Sequence, residues 1–316
     1  MLHATLRSRV SFAVGALAIL SLNHAMPALA RGGPDFRHVD AQAAWVMHVD
    51  VQAAMASKMG RMMMDAMPAA QRNAIFGAAE EMGFDLTRDL RHVTLYGATM
   101  QDGPDVIITV ASPAIENVLA AVQREAPDYQ TTTIDGYECH TFGPACVSIR
   151  PYGGDRIVVA TRSTQRLVEA LQVMDGKRAN LTSIESPARS IETRPGAFMI
   201  THLMRMDALP GGDTGPASIV AQKSDGASIQ IGERDDKAFM SMRVVAKSDL
   251  EAQDISGFGQ GLLALGRMAA EDDARLKPLL PILRAFRINV DAKVVTLEVR
   301  FDPAELPLAQ WLGNVQ

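Results

Sequence analysis

The chain has 316 residues, 47% of them hydrophobic, and a formal net charge of −5 at pH 7. This apolar content excludes general disorder, and the length is enough for one large domain or two smaller ones. An acidic chain without a basic cluster is a poor candidate for binding nucleic acid or an anionic membrane.

The first 30 residues have the pattern of a secretory signal peptide. Arg7 and Arg9 precede an apolar run over 10–22 that is too short for a comfortable membrane span, and a small-x-small motif ends at Ala30. We therefore expect cleavage after Ala30 and a periplasmic or secreted protein; an uncleaved membrane anchor is the alternative. No later stretch predicts a transmembrane segment.

The mature chain is predicted to fold as two α+β halves, each built from antiparallel hairpins with packed helices. Residues 31–43 are polar and are expected to form a flexible N-terminal segment. The first half spans 44–176, a linker without helical or strand periodicity spans 177–195, and the second half spans 196–316. Similar element order predicts a tandem pseudo-repeat; a single α+β domain whose elements merely look alike is the alternative.

The first half is predicted to contain a strand, two helices, a hairpin, a helix, a second hairpin and a last helix. In the central hairpin, Val93 and Leu95 alternate with polar residues. Ser112 and Pro113 then suit the first turn of a helix, because Ser caps it and Pro tolerates its first position. In chain order these elements are a strand at 44–49, helices at 51–67 and 69–82, hairpin strands at 91–97 and 106–111, a helix after 112, a segment at 131–134, a hairpin around 139–146, a strand at 156–161 and a helix over 167–174.

The second half is predicted from the same signals. Ser248 and Glu251 form a capping box at the start of a long helix. Asp302 is expected to cap a final helix. In chain order these elements are a strand at 197–200, hairpin strands at 227–232 and 238–246, the helix after 248, a short helix near 272–283, hairpin strands at 287–290 and 294–301, and the final helix after 302.

Cys139 and Cys146 are the only two cysteines. A hairpin that turns between Phe142 and Gly143 would place them directly opposite each other, with Cα atoms ~4.5–5.5 Å apart. In an oxidising compartment this spacing predicts a Cys139–Cys146 disulfide. A metal site made by Cys139, His140 and Cys146 with a fourth ligand from elsewhere is the alternative.

A methionine-rich segment is the most unusual feature of the composition. Thioether sulfur suits Cu(I), so the segment and the nearby His48 are a candidate copper site. Methionine at helical spacing also fills cores and forms adaptable apolar docking surfaces, and this interpretation is the alternative. The candidate ligands are Met59, Met62, Met63, Met67 and His48.

Other candidate sites favour structural roles. The strand histidines His48 and His92 have no second ligand at short spacing, and they are expected to be solvated or hydrogen-bonded. Asp85 and Asp89 are expected to brace the turn that contains Thr87 and Arg88. The glycines over 257–261 lack the preceding strand and the spacing of a nucleotide-binding loop, which indicates a closely packed helix.

The signatures of a nucleophile elbow, a zinc protease, a Walker loop and a penicillin-binding site are absent. Their absence lowers the expectation of an enzyme without excluding residues that converge only in space.

Five short motifs together resemble a loose set of uncharacterised secreted bacterial proteins of tandem α+β modules. The motifs are Gly83-Phe84-Asp85, Asp89-Leu90, Val93–Gly97, Met174–Lys177 and Gly261–Leu265. This resemblance covers most of the mature chain, and it implies a fold and no catalytic residue.

The first hypothesis is a non-catalytic binding or interaction module of the cell envelope, whose partner is an envelope protein or a small ligand and which uses no cofactor. The alternatives are copper binding through the methionine-rich helix and a hydrolase with an unrecognised site.

Overall fold

Twelve strands form one continuous sheet in the computed structural model of the protein, which describes residues 33–186, 188–206, 216–273 and 276–305. Neighbouring strands are antiparallel and helices accompany the sheet, so the fold is α+β as predicted. The expected signal peptide and the final helix beyond 305 lie outside the described residues. Within the described ranges, no helix is long and apolar enough to cross a bilayer.

The sheet is ordered β11-β12-β10-β9-β8-β1-β2-β3-β7-β6-β5-β4. Its strands are β1 (Trp45–Asp50), β2 (Leu90–Gly97), β3 (Val106–Ala111), β4 (Gln130–Ile134), β5 (Tyr137–Phe142), β6 (Ala145–Tyr152), β7 (Asp155–Thr161), β8 (Ala197–Leu203), β9 (Ser224–Arg234), β10 (Lys237–Ala246), β11 (Arg287–Asp291) and β12 (Val294–Phe301).

The two predicted halves contribute the two sides of this sheet. β1 and β8 pair with each other at the junction, with Trp45 opposite Leu203 and Val49 opposite Met199. Strands that precede the predicted linker lie on one side of this pair, and strands that follow the linker lie on the other. The halves therefore share one sheet, while their pseudo-repeat and their status as domains stay predictions.

The longest helix begins where its capping box predicts: Ser248 Oγ accepts the Glu251 backbone N–H at 3.2 Å. The helical segment before β2 is more broken than expected, because Ser57 ends one helix and caps the next. A π-helical turn at Asn73–Gly77 divides the following segment. The α-helices are α1 (Val51–Ala56), α2 (Lys58–Ala66), α3 (Ala69–Arg72), α4 (Ala78–Glu81), α5 (Leu86–Asp89), α6 (Ile115–Glu125), α7 (Thr164–Met174), α8 (Pro216–Lys223), α9 (Asp249–Asp272) and α10 (Leu280–Ala285).

Strand alternation in β1 separates two differently covered faces of the sheet. Val46 belongs to a core cluster with Leu167 and Leu171 of α7. Met47, which points to the opposite face, packs with residues of α1, α2 and α9. The sheet is thus covered on both faces at its centre, and α7 covers the face on which Val46 lies.

The segments before β1 and before β8 also pack on the face that α7 covers. Val39 and Leu181 are buried in the same cluster as α7, and the Leu181 backbone N–H donates to the Val39 carbonyl at 2.8 Å. Asp40 and Asn180 form an isolated antiparallel bridge. These contacts bring the N-terminal segment and the segment 177–195 together beside the ends of the central strands.

The predicted disulfide is wrong. Phe142 pairs with Ala145, so the hairpin turns through Gly143 and Pro144, and Cys146 lies opposite Thr141 rather than Cys139. The two cysteines are therefore diagonal neighbours, for which Cα separations of ~7–8 Å exceed the usual range of a disulfide. Both thiols are free and buried.

Candidate functional site

A cavity of about 500 Å³ lies at the ends of the central strands, where the segments before β1 and before β8 meet α7. Its volume falls within the range of ~300–1,000 Å³ that is typical of small-molecule sites. We call it the Tyr96 pocket. It is lined by 40–43, 96–98, 105–106, Arg166, Glu169, Ala170, Leu181, 184–186, Met204 and Arg205.

The inner wall of the Tyr96 pocket is apolar. Val106 from β3, Ala170 from α7 and Leu181 are all buried, and Met204 follows β8 directly. β2 delivers the Tyr96 ring to this wall because its alternation places Tyr96 opposite Val46, on the face that α7 covers. An apolar molecule can therefore be sheltered from water here.

Four charged residues at or beside the pocket are paired with one another. Arg178 contacts Glu169 at 3.3 Å and Asp40 at 3.8 Å, and Arg166 contacts Glu169 at 3.1 Å. Burial alone would raise the pKa of Glu169, but hydrogen bonding by Gln165 and the charges of Arg178 and Arg166 together hold it below its usual value. The charge of Glu169 is thus compensated by two arginines, whereas Glu185 and Arg205 also line the pocket and Arg205 contacts the Ala98 backbone carbonyl.

The Tyr96 hydroxyl differs from these charged groups because it lacks a hydrogen-bond partner within the described ranges. Tyr96 is only 3% exposed, and its hydroxyl oxygen has no hydrogen-bond partner among the described residues. Burial, with a further contribution from the charge of Asp40, raises the pKa of Tyr96, so the group stays a neutral O–H at physiological pH. A buried donor without an acceptor costs about 1–3 kcal/mol, which makes this hydroxyl the strongest sign of a missing partner.

A second cavity, of about 300 Å³, is lined by His38, His48 and His92 together with Asp50. His48 Nδ1 lies 2.8 Å from Thr94 Oγ1, and the His48 and His92 rings are 5.4 Å apart. Burial lowers the pKa of His48 to about 3, and burial also lowers the pKa of His92. These imidazoles are therefore neutral at pH 7, and His48 is hydrogen-bonded as expected.

None of these histidines belongs to a preformed metal site. Within the described part of the chain, no group of three or more His, Cys, Asp or Glu side chains is arranged to hold a metal ion. Cys139 and Cys146 do not form such a group with His140; the pKa of the Cys139 thiol is raised by burial, which disfavours the thiolate that a metal needs.

The structure brings only some of the predicted copper ligands together. Met59 is buried against Phe198 and Met199, and Met63 packs on the same cluster. Met62 and Met67 are half-buried and lie outside that cluster. His48 points to the opposite face of the sheet from Met47, which packs on the methionines, so the fold separates it from them.

Two smaller predictions are confirmed. Asp85 Oδ1 accepts the backbone N–H groups of Thr87 and Arg88, and Asp89 Oδ2 accepts the Asp85 N–H, so both carboxylates brace their turn. The glycines over 257–261 lie within α9 rather than in a loop, although the expected close packing is found only at Gly259, where a Cβ atom would lie 3.1 Å from Ile288 Cδ1.

Sequence reasoning missed the Tyr96 pocket because its wall comes from several distant segments. The residues from Leu181 to Ser186 lie in a stretch that lacks periodicity and was expected to be a linker. The alternation in β2 gave no signal either, because it groups Tyr96 with the polar residues opposite Val93 and Leu95.

Comparison with known proteins yields only distant structural similarity. No protein-family model and no curated protein matches the chain. Among solved structures, crystal forms I, III and IV of TP0453 match with 10%, 12% and 10% identity and TM-scores of 0.43, 0.47 and 0.46. These matches cover 89–90% of this chain and 96–98% of that protein. At this level of similarity they assign no function to the chain.

Proposed function

We propose that the protein is a non-catalytic binding protein of the cell envelope that holds a small molecule in the Tyr96 pocket. The observation that carries this proposal concerns Tyr96, which lines a cavity of ligand size and whose buried hydroxyl has no partner among the described residues. Export to the periplasm or beyond is supported by the charged start, apolar run and cleavage motif of the first 30 residues.

Binding is favoured over catalysis by the state of the polar groups that line the pocket. The Ser186 hydroxyl donates to Met204 Sδ at 3.2 Å rather than to a base, and Glu169 is held by arginines. A nucleophile–base pair, which a hydrolase requires, is not present among the lining residues. The hydrolase alternative therefore has less support than a binding role.

The proposal is tested by native mass spectrometry of the protein exported to the periplasm. Ala41→Trp places a large side chain in the lining of the Tyr96 pocket, and Gln123→Trp on the exposed face of α6 is the matched control. We expect a bound mass on the wild-type protein and on the control, and its loss from Ala41→Trp with an unchanged circular dichroism spectrum. A wild-type protein that carries nothing, or a bound mass that Ala41→Trp retains, would contradict the proposal.

Copper binding through the methionine-rich segment is a second candidate with narrower support. The contact of Met59 and Met63 within one cluster favours it, whereas the packing of Met59 on Phe198 favours a core role. Met59→Leu with Met63→Leu tests it, because the substitutions keep volume and remove thioether sulfur. Retention of Cu(I) by the folded double variant would remove this candidate.

A further inference from the structure

We infer that the ligand of the Tyr96 pocket is a neutral, largely apolar molecule. We also infer that a carbonyl or ether oxygen of this ligand accepts a hydrogen bond from the Tyr96 hydroxyl. Both inferences rest on the proposed binding of a small molecule in this pocket. The structure supports each part of this description separately: the acceptor, the absence of charge and the apolar body.

The acceptor follows from what the Tyr96 hydroxyl lacks. A phenolic hydroxyl carries one hydrogen that it can donate. The hydroxyl hydrogen is left without an acceptor among the described residues. A ligand that completes this site must therefore offer a lone pair, as a carbonyl or ether oxygen does.

The neutrality follows from the charges around the pocket. Arg178 is shared between Asp40 and Glu169, and Arg166 also holds Glu169. Asp105 accepts the Ala98 backbone N–H at 2.9 Å. A charged ligand would lose its hydration and would compete with these interactions, whereas a neutral ligand leaves all of them intact.

The apolar body follows from the inner wall. Val106, Ala170 and Leu181 are buried and offer no polar side-chain atom, and Met204 adds a flexible thioether that can adjust to the shape of a guest. The Tyr96 hydroxyl oxygen is not accessible to water. We therefore expect the Tyr96 side chain to shift toward the cavity as a ligand enters. Side-chain shifts of this kind are common on binding.

Two probes of matched shape isolate the hydrogen bond. Acetophenone carries a carbonyl oxygen where α-methylstyrene carries a CH₂ group, so the two differ mainly in the acceptor. Binding is followed through the Met204 methyl signal in protein labelled with ¹³C-methyl methionine, with the signal assigned by Met204→Leu. Benzoate and 1-phenylethylamine serve as charged probes of similar size.

In wild-type protein we expect acetophenone to bind about fivefold more tightly than α-methylstyrene, and both charged probes to bind more weakly than acetophenone. Tyr96→Phe should bind the two neutral probes equally. This variant should melt at the same temperature as the wild type or higher, because it removes an unsatisfied donor, so the loss cannot be attributed to misfolding.

Three results would overturn the inference. Equal affinity of the wild type for acetophenone and α-methylstyrene would contradict the inferred hydrogen bond to an acceptor on the ligand, and it would leave the proposed small-molecule binding in place. Tighter binding of either charged probe than of acetophenone would contradict the inference that the ligand is neutral. If none of the probes shifts the Met204 signal while native mass spectrometry shows a bound mass, the ligand class is wrong and the proposed function stands.

Discussion

Two histidines are buried deeply enough to resist protonation in the folded protein. Burial lowers the pKa of His48 to about 3 and the pKa of His202 to about 4, against an ordinary value near 6.5. The unfolded chain therefore takes up protons as the pH falls below about 6.5, whereas the folded protein does not. The stability that these groups contribute is complete above pH 6.5 and is lost as the pH falls toward 4.

We predict that the free energy of unfolding falls steeply between pH 6.5 and 5, with each buried histidine contributing up to about 1.4 kcal/mol per pH unit. His202→Asn keeps a donor for the Ala188 carbonyl, which His202 Nδ1 contacts at 2.8 Å, and removes the titrating group. Urea unfolding at several pH values should show a shallower slope for the variant below pH 6.5. Identical slopes for variant and wild type across this window would contradict the burial argument.

Asp89 is a buried carboxylate at the last residue of α5, directly before β2. It is 5% exposed and accepts hydrogen bonds from the Asp85 backbone N–H at 2.9 Å and from Ser112 Oγ at 3.0 Å. A hydrogen bond from Arg88 is the largest of the effects that lower the pKa of Asp89, so this carboxylate is ionised at neutral pH.

Asp89→Ala should lower the free energy of unfolding by about 2 kcal/mol, because it leaves buried donors without an acceptor. Asp85→Ala, which removes a helix cap at a more exposed position, should cost about 1 kcal/mol. Denaturant titration compares the two variants. A cost for Asp89→Ala no larger than that for Asp85→Ala would show that the buried acceptor matters less than the cap.

At the scale of elements, α9 contains two glycines whose small size is not required by any described contact. A Cβ atom built on Gly257 or Gly261 meets nothing within 4 Å. Gly60 in α2 is the opposite case, because a Cβ atom there would overlap the carbonyl oxygen of Ala54.

We therefore predict that Gly257→Ala and Gly261→Ala each raise the free energy of unfolding by up to about 1 kcal/mol, since alanine is the better helix former. Gly60→Ala should lower it by about 2 kcal/mol or more, because the tight turn at Ser57 must open. Thermal and urea unfolding of the three variants check the contrast. A loss of stability in both α9 variants would reveal a contact that the monomer does not show.

Elements with strong local signals were predictable from the sequence. The alternation of Val93 and Leu95 placed β2, and the Ser248 capping box placed the start of α9, because the physics in each case acts within a few residues. The register of the cysteine hairpin was less predictable. The sequence predicted a turn between Phe142 and Gly143, whereas the chain turns through Gly143-Pro144, and this shift separates Cys139 from Cys146. The Tyr96 pocket was out of reach, since it depends on how distant segments meet.

At the scale of the whole molecule, the β1–β8 pair decides whether the halves are independent. These strands are central, and removing either half would leave its partner as a long unpaired edge. Exposed edges of this kind promote aggregation.

We predict that fragments 31–195 and 196–316 aggregate when expressed separately and copurify as a folded complex when expressed together. Size-exclusion chromatography and circular dichroism distinguish the outcomes. Met47→Pro, at a central residue of β1 paired with Thr201, should abolish copurification by disrupting the β-ladder. Two separately monomeric, stably folded fragments would instead indicate independent domains that merely abut.

The position of this pair also bears on the order of folding. Most neighbouring strands in the sheet, such as β2 with β3 or β9 with β10, are close in sequence and need only a short loop to meet. β1 must instead wait for β8, which is made much later and lies far along the chain. Closing so large a loop is entropically costly and slow, so we expect both flanks to form early and the centre of the sheet to be sealed last.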